Sequence, residues 1–321
     1  MFTHKDIEYR SIFIINCLEK KNLKVKTGEL FLEDGTSGKT LTKFPFQKIL
    51  ALFIVGNFTI TSPLIEKCRQ HGIFICVTKL SLRPVFTFGV NAEANFLLRE
   101  KQFAHDINDL KIPLTIVRNK IHNQIKLLHN TRKKDEITTT AILCCQQILD
   151  RLNQVHDFQE LMGLEGAAAK AFFQAYYQDF EWKQRQPRTK CDFLNVILDI
   201  GYTILFNFIE LFLRLFGFDL YIGVYHRTWF KRKSLVCDLM EPFRCIIDKQ
   251  VRKSLNINQF SPNDFELHKN EFRLIRNKSI DYYVIFFNAL VPYKQNIFIY
   301  IQQYYRTFMS SNLNNLPSFN I

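Results

Sequence analysis

Apolar residues in the first 90 positions form short runs that are typical of β-strands. The runs are rich in Ile, Val, Phe and Thr, and turn-like residues such as Glu33–Gly38 separate them. One helix interrupts the strands, since Ser62 can cap it, Pro63 suits its first turn and Gly72 follows its end. The predicted strands are Tyr9–Leu18, Leu23–Lys26, Glu29–Leu32, Ala51–Val55, Gly72–Thr78 and Pro84–Phe88.

From about residue 92 the apolar positions recur every three or four residues, which is the period of a helix. Asp135 can begin the next helix, which runs through Ile142 to Val155. The first helical face comprises Leu110, Leu114, Val117, Ile121, Ile125 and Leu128. Further helices are predicted at about 164–180, 192–216, 236–255 and 279–308.

The change of period divides the chain into two parts. Residues 1–90 are predicted to form a β-rich domain and residues 91–309 a larger all-α domain, so the fold class is α+β. The polar residues 310–321 are expected to be frayed.

Several features favour the cytoplasm. The most apolar region, Val196–Tyr225, is interrupted by four charged residues, whereas a membrane span needs about 20 mostly apolar residues. Met1–Arg10 carries charges before any apolar run and does not resemble a signal peptide. The eight cysteines include no Cys-x-x-Cys pair, so reduced core thiols are favoured over zinc or disulfides. We therefore expect a cytoplasmic protein that does not enter a membrane.

The composition indicates a globular protein with a polyanionic partner. Hydrophobic residues make up 47% and aromatic residues 14%, which is enough for a sizeable core and excludes a disordered chain. Forty-three basic and 30 acidic residues give a net charge of +13. A surplus of this size points to nucleic acid or an acidic membrane face as the partner.

The first candidate for chemistry is Glu165, the one carboxylate in Leu161–Lys170. Gly163 and Gly166 flank it, and such small residues let a phosphate or another backbone approach closely. The alternative is an ordinary exposed glutamate near a helix start, where the helix dipole favours it. The segment alone leaves both interpretations open.

The second candidate is His226, which begins a basic stretch. Four of the eight residues 226–233 are basic and none is acidic, with Trp229 and Phe230 among them. Basic residues interleaved with aromatics suit a nucleic-acid backbone and its bases. A lone histidine is nonetheless more often a packed or surface residue, and a charge run is usually a solvated loop.

The third candidate is the pair Asp238 and Glu241, which share a face if the segment is helical. Two such carboxylates repel each other unless a cation or a proton lies between them. Pro242 is best tolerated in a first turn, which places both acids near a helix start. A capping pair is the alternative.

Together these segments offer one imidazole and several carboxylates in a basic protein. Oxygen-rich sites favour Mg²⁺ or Mn²⁺, and an imidazole shifts the preference toward Mn²⁺. A divalent ion can polarise a phosphoryl oxygen and orient an attacking hydroxyl, so the combination suggests phosphodiester chemistry on nucleic acid. The residues predicted to contact DNA are Lys170, Lys183, Arg185, Arg188, Lys190, Arg227, Lys231, Arg232, Lys233 and Arg244.

At these segments the chain resembles the CRISPR-associated protein one family, the integrases that insert new spacers into CRISPR arrays. Leu161–Gly166 is similar to the family's glutamate motif, Gly217–His226 to its histidine motif, and Ser234–Arg244 with Asp248 to its last motif. Ala92–Phe96 resembles versions from type V loci. Phe218 and Leu220 replace the Leu and Pro common in the family, which should affect packing rather than chemistry.

The resemblance implies a β-sandwich-like N-terminal domain that makes a homodimer, followed by an α-helical catalytic domain. It implies Glu165, His226 and Glu241 as the ligands of Mg²⁺ or Mn²⁺, with Asp238 as an accompanying catalytic acid. Two homodimers would flank a central dimer of the small CRISPR-associated protein two, and a fourth CRISPR-associated nuclease is a further candidate partner. The complex would join the 3′-hydroxyls of duplex DNA fragments to the CRISPR repeat.

Two other hypotheses remain. A non-catalytic DNA-binding scaffold of the same fold would need none of the three ligands. An unrelated structure-specific metal nuclease would not need the ordered set of motifs.

Overall fold

The computed structural model describes residues 2–56, 59–89, 95–132, 134–180, 182–310 and 312–321. Its N-terminal part consists of two β-sheets and two helices. The helices are α1 (His4–Tyr9) and α2 (Ser62–His71). The strands are β1 (Ser11–Cys17), β2 (Lys21–Lys26), β3 (Glu29–Asp34), β4 (Thr40–Pro45), β5 (Ile49–Gly56), β6 (Phe74–Thr78) and β7 (Pro84–Phe88).

The two sheets enclose a small core. In the larger sheet, with strand order β1-β5-β6-β7, β5 pairs in parallel with β1 and β6, and β7 is antiparallel. Strands β2, β3 and β4 form an antiparallel sheet. Leu52 and Ile54 of β5 pack with Leu23 and Leu30 of the smaller sheet. The prediction of a β-sandwich-like N-terminal domain is confirmed.

One strand of this part was not predicted. Strand β4 contains two Thr and one Lys and is half exposed at the edge of the smaller sheet, so it has little apolar pattern. Helix α2 was predicted, but Thr61 rather than Ser62 is its N-cap. Gly72 ends it in the left-handed conformation, at a φ of 64°.

The C-terminal part is mostly helical. Its helices are α3 (Phe96–Ala104), α4 (Lys111–His129), α5 (Glu136–Arg151), α6 (Phe158–Tyr176), α7 (Phe193–Phe216), α8 (Ser234–Met240), α9 (Arg244–Asn256), α10 (Ser279–Leu290) and α11 (Lys294–Ser310). A 3₁₀ turn, Glu241–Phe243, joins α8 to α9. The predicted domain boundary at residues 90 and 91, and Ala92–Ala94 of the type V resemblance, lie outside the described residues.

The expectation of an all-α second domain requires one correction. Strands β8 (Phe265–His268) and β9 (Glu271–Leu274) form a two-stranded hairpin. Its turn residues Lys269 and Asn270 have φ values of 50° and 64°, as a two-residue turn with matching twist requires. The alternation of apolar residues around this turn is short, and the turn lacks the glycine that usually marks a hairpin in a sequence.

Helix α7 forms the centre of the helical part. The Asp192 carboxylate caps its start by accepting from the Asn195 amide, and Gly217 ends it at a φ of 84°. By length and composition alone, α7 and the stretch Arg276–Ser310 could each cross a membrane. The apolar window of α7 is 78% buried inside the protein, so α7 is accounted for as a core helix.

The larger sheet and the helical part share one core. Phe53 of β5 stacks on Phe208 of α7 and contacts Phe287 of α10. The Asn207 amide donates to the Leu82 carbonyl at 3.1 Å, which links α7 to the β6–β7 turn. The sheet is therefore packed between the smaller sheet and the helices.

The expectation of a frayed tail at 310–321 is wrong for the described residues 312–321. Phe319 is buried, and its ring lies against those of Phe243 and Tyr293. Its backbone amide donates to Asn119 Oδ1 at 2.8 Å, and its carbonyl accepts from Asn119 and Asn123 of α4. Aromatic burial and satisfied backbone groups outweigh the polar composition that suggested fraying.

Candidate active site

The predicted carboxylates Glu165 and Glu241 meet at one lysine. The Nζ atom of Lys120 lies 2.6 Å from Oε1 of Glu165 and 2.7 Å from Oε2 of Glu241. The side chains of Lys120, Glu165 and Glu241 are 13%, 17% and 3% exposed. Water therefore screens these charges only weakly. Packing of α4 against α6 and the 3₁₀ turn brings together residues that are far apart in the chain.

Glu165 lies well inside α6, whose start is capped by the Asp157 carboxylate. Its Oε2 accepts a hydrogen bond from the Tyr225 hydroxyl at 2.5 Å. The interpretation of Glu165 as an exposed glutamate near a helix start is therefore wrong. A Cβ atom on Gly163 or Gly166 would meet nothing within 4 Å, so these glycines leave open surface beside the carboxylate.

The carboxylate of Asp238 holds the ring of His226. Nδ1 of His226 lies 2.7 Å from Oδ1 of Asp238. The same carboxylate accepts backbone N–H bonds from Val224, Tyr225 and His226 at 2.7, 3.1 and 2.8 Å. Asp238 is completely buried, and four donors occupy it. It acts as a positioning residue, since its bond to Nδ1 presents the other ring nitrogen, Nε2, as the possible ligand.

Gly223 allows the loop before His226 to lie against this carboxylate. A Cβ atom at Gly223 would be 2.7 Å from Oδ2 of Asp238 and 2.7 Å from the Cβ of Ser234. Real Cβ atoms do not approach so closely, so any larger residue would displace the carboxylate or the loop.

Two cations flank the buried Glu241. Its Oε1 pairs with Arg244 at 2.9 Å, and its Oε2 contacts Lys120. Burial alone would raise the pKa of Glu241, but Arg244 and Lys120 outweigh burial and lower it to about 2. Despite the contact with Lys120, Oε2 has no donor in hydrogen-bonding geometry among the described residues. Glu241 is therefore ionised at neutral pH and has one poorly satisfied oxygen.

Arg244 is itself fixed by an aromatic ring. Its guanidinium lies over Tyr202, 4.5 Å from the ring centroid, and Arg185 lies 5.5 Å from the same ring. The Tyr202 hydroxyl donates to Oδ1 of Asp248 at 2.5 Å. Burial raises the pKa of Asp248 to about 7, although the Tyr202 hydrogen bond and Arg244 act against it. The buried carboxyl of Asp248 therefore exchanges its proton near pH 7.

Most of these residues, though not Tyr225 or Asp238, line an open cleft of about 1860 Å³. His226, Glu165 and Glu241 share it with ten basic side chains, whereas the cleft has four carboxylates, so its potential is positive. The basic residues are Arg83, Lys120, Arg185, Arg188, Lys190, Lys231, Arg232, Lys233, Arg244 and Arg273.

Seven of the ten predicted DNA contacts line this cleft, but three of them are engaged inside the protein. Arg185 pairs with Asp199 and donates to Asn195. Lys233 lies 2.7 and 2.6 Å from the two oxygens of the buried Glu210. The third is Arg244, described above. Each has an internal partner that a phosphate would have to replace.

The other predicted contacts differ in position. Arg188 and Lys231 are exposed in the cleft, Lys190 pairs with Glu271 at 2.9 Å, and Arg232 donates to the Arg227 carbonyl. Three exposed residues do not line the cleft: Lys170, Lys183 and Arg227. Arg227 borders a small neighbouring cavity instead.

Sequence reasoning missed several residues of this site, including Arg273 of strand β9. Lys120 borders the buried face of α4, Tyr225 directly precedes His226, and Arg83 lies in the turn before β7. Tyr225 could have been suspected from its place in the histidine motif. Lys120 and Arg83 carry no sequence signal, because only the packing of distant elements brings them to the cleft.

A family model for CRISPR associated protein Cas1 matches residues 17–284, most of the chain and every residue of the site described above. The chain belongs to the Cas1 family. A relative from Thermodesulfovibrio yellowstonii, named CRISPR-associated endonuclease Cas1 1, is 26% identical over 262 residues. That match covers 77% of this chain and 81% of the relative.

Solved structures share this Cas1 fold. A chain described as casposase bound to integration product superposes with a TM-score of 0.78 at 19% identity, covering 97% of this chain and 94% of that one. A chain from a complex named Cas6-RT-Cas1--Cas2 superposes with a TM-score of 0.79 at 19% identity and 97% coverage. The present protein spans 36% of that longer chain. These likenesses confirm the α+β fold.

The donors in this Cas1 site fit a magnesium or manganese ion. Glu165 and Glu241 supply carboxylate oxygens, one of them poorly satisfied, and His226 supplies one imidazole nitrogen. They are not grouped as a finished site, since no three His, Cys, Asp or Glu side chains in the described parts of the chain form a metal-binding cluster. Lys120 lies between the two glutamates instead.

Proposed function

We propose that this protein is a metal-dependent DNA integrase and endonuclease of CRISPR adaptation. It joins the 3′-hydroxyl ends of spacer fragments to the CRISPR repeat by transesterification. The observation that supports this most directly is that Glu165, Glu241 and a positioned His226 line the same cleft, which is rich in basic residues. The names of the relative and of the casposase chain agree with nuclease and integration chemistry.

The reaction exchanges one phosphodiester for another. The 3′-oxygen of the fragment bonds to a phosphorus of the repeat, the bond to the repeat's own 3′-oxygen breaks, and the proton of the attacking hydroxyl passes to that leaving oxygen. Glu165, His226 and Glu241 would hold Mg²⁺ or Mn²⁺. When bound, the ion stabilises charge on the phosphoryl oxygens and lowers the pKa of the attacking hydroxyl.

The other residues prepare the site. Asp238 fixes the His226 ring through Nδ1, and Tyr225 restrains one oxygen of Glu165. Arg188 and Lys231 are placed to contact phosphates along the cleft. We assign Asp238 a positioning role rather than a catalytic one, because its buried carboxylate already accepts four hydrogen bonds.

The proposed partners follow the family resemblance. Duplex DNA is the substrate, and the β-rich part makes a homodimer. Cas2 is proposed as a protein partner, since one similar structure belongs to a complex whose name pairs Cas1 with Cas2. A fourth CRISPR-associated nuclease that trims the fragments remains a candidate, and the cytoplasm is the proposed location.

Replacing Glu165 with Gln tests the function. Joining of a 3′-hydroxyl to a supercoiled repeat plasmid should fall by at least about a hundredfold, because the side chain loses the charge that holds the ion. Duplex binding should largely survive, since phosphate contacts supply most of the affinity. Strand transfer with Mn²⁺ or Mg²⁺ and a binding titration at fixed salt measure the two effects.

The exposed Glu66 of α2 provides a control, and Glu66→Gln should join DNA like the wild type. Wild-type joining by Glu165→Gln would remove Glu165 from the mechanism. A wild-type protein that binds DNA but does not join it with Cas2 and metal present would favour the non-catalytic scaffold.

A further inference from the structure

Lys120 has an unusual position for a basic residue in this protein. It lies on α4 with a side chain that is 13% exposed, and its ammonium contacts an oxygen of each of the two glutamates. The geometry is that of a cation bridging two carboxylates, which is the arrangement expected of a divalent ion.

The formal charges of the cluster balance without a metal. Glu165 and Glu241 contribute two negative charges, and Lys120 and Arg244 contribute two positive charges. In a site with little water, a divalent ion added to this cluster would face uncompensated positive charge. One of the two cations must therefore move away when a metal binds.

The structure distinguishes the two cations. Arg244 is held between the Glu241 carboxylate and the Tyr202 ring, so it has a fixed place. Both cations line the cleft, and the Arg244 side chain is 28% exposed against 13% for Lys120, so exposure does not separate them. Lys120 differs in having a flexible four-carbon stem that ends in a single ammonium. The partners of Lys120 are the two carboxylates that the ion would take, whereas Arg244 would also lose its contact with the Tyr202 ring if it moved. Lys120 is therefore the cation that can move its charge toward water or DNA phosphate.

We propose that the Lys120 ammonium is an internal counter-ion that occupies the place between Glu165 and Glu241 in the metal-free protein and leaves it when the divalent ion binds. This inference rests on the proposed metal site. Lys120 is a positioning residue here: it keeps the two carboxylates together before the ion arrives and competes with the ion for them.

The test is Mn²⁺ binding to Lys120→Met. Calorimetry and the electron paramagnetic resonance signal of free Mn²⁺ measure this binding. The variant should bind Mn²⁺ at least about tenfold more tightly than the wild type, because no ammonium competes for the carboxylates. Its melting temperature without metal should fall by several degrees, since the buried Glu241 and the partly buried Glu165 lose their counter-ion. Mn²⁺ should then raise the melting temperature more than in the wild type.

Lys126→Met is the matched control, since Lys126 is an exposed lysine on the same helix. It should bind Mn²⁺ like the wild type. If Lys120→Met does not fold without metal, Lys120→Gln gives the same comparison, because Gln keeps a hydrogen-bond donor but no charge. Tighter Mn²⁺ binding by either Lys120 variant supports the exchange of the Lys120 ammonium for the metal ion.

The outcomes separate this inference from the proposed function. Mn²⁺ binding that Glu165→Gln abolishes, but that is equal or weaker in the Lys120 variants, overturns the exchange and leaves the metal site in place. Absence of any Mn²⁺ binding sensitive to Glu165→Gln overturns the metal site and the exchange together.

Discussion

At the scale of single residues, buried charge dominates the region around the cleft. Glu241 stays ionised because two cations flank it, whereas Asp248 has a hydroxyl donor and only more distant cations. The two acids are seven residues apart in the chain, yet their pKa values shift in opposite directions. A buried carboxyl remains charged only where opposite charge compensates for lost water.

The raised pKa of Asp248 predicts a pH-dependent stability. Between its ordinary value of 3.8 and about 7, the folded protein keeps a proton that the unfolded chain releases, so stability falls as pH rises through this window. Asp248→Asn removes this loss and should stabilise the protein at pH 8 by on the order of 2 kcal/mol. Thermal melts between pH 5 and pH 8 measure the difference.

The stabilisation by Asp248→Asn should shrink toward pH 5, where the folded wild type is already protonated. Asp281→Asn serves as control, because Asp281 is exposed on α10. A stabilisation that does not change with pH would show that Asp248 does not titrate in this range.

At the scale of elements, the C-terminal segment supports the turn that carries Glu241. Phe319 packs on Phe243 of that turn, and the Asn123 amide donates both to the Phe319 carbonyl and to that of Pro242. The segment, α4 and the 3₁₀ turn therefore form one packed unit. Lys120 belongs to the same helix, so the unit sets the distance between Lys120 and Glu241.

Loss of this packing should be measurable in Phe319→Ala. Truncating a buried phenylalanine should cost about 3 kcal/mol of stability, because it leaves a cavity beside Phe243. The loosened turn should also lower strand transfer. Denaturant unfolding and the joining assay report the two effects, and the exposed Asn320→Ala is the control. Wild-type stability of Phe319→Ala would mean that the segment contributes no packing energy.

At the scale of the whole molecule, the charge of +13 is not all available to DNA. Several basic residues of the cleft neutralise acids of the protein, as Lys233 does for the buried Glu210 and Arg185 for the partly exposed Asp199. Others, such as Arg188 and Lys231, are exposed. Only the second group can release counter-ions from DNA on binding.

Two double variants test this division. Arg188→Gln with Lys231→Gln should weaken binding to all duplexes and reduce the slope of log affinity against log salt by about 2. Arg185→Gln with Lys233→Gln should leave the slope nearly unchanged and instead lower the melting temperature, since two acids lose their partners. Equal slopes for both pairs would contradict the division. Filter binding or fluorescence anisotropy at several salt concentrations measures it.

The sequence by itself determined most of the elements and the candidate acids. Asp135 caps its helix and Gly72 ends another as the sequence predicts, because capping depends on neighbouring residues alone. The motifs around Glu165, His226 and Glu241 identified the family, which the family model confirmed. The hairpin at 265–274 and the packed C-terminal segment were missed because long-range contacts stabilise them.

Only the tertiary structure decided how the charged residues are paired. Lys120 lies far from Glu165 and Glu241 in the chain, and no spacing rule could place its ammonium between them. The same holds for Arg185, whose partner Asp199 determines that it supports a loop rather than faces solvent. Charge appears in the sequence, but the compensation of charge depends on which elements pack together and how much water they exclude.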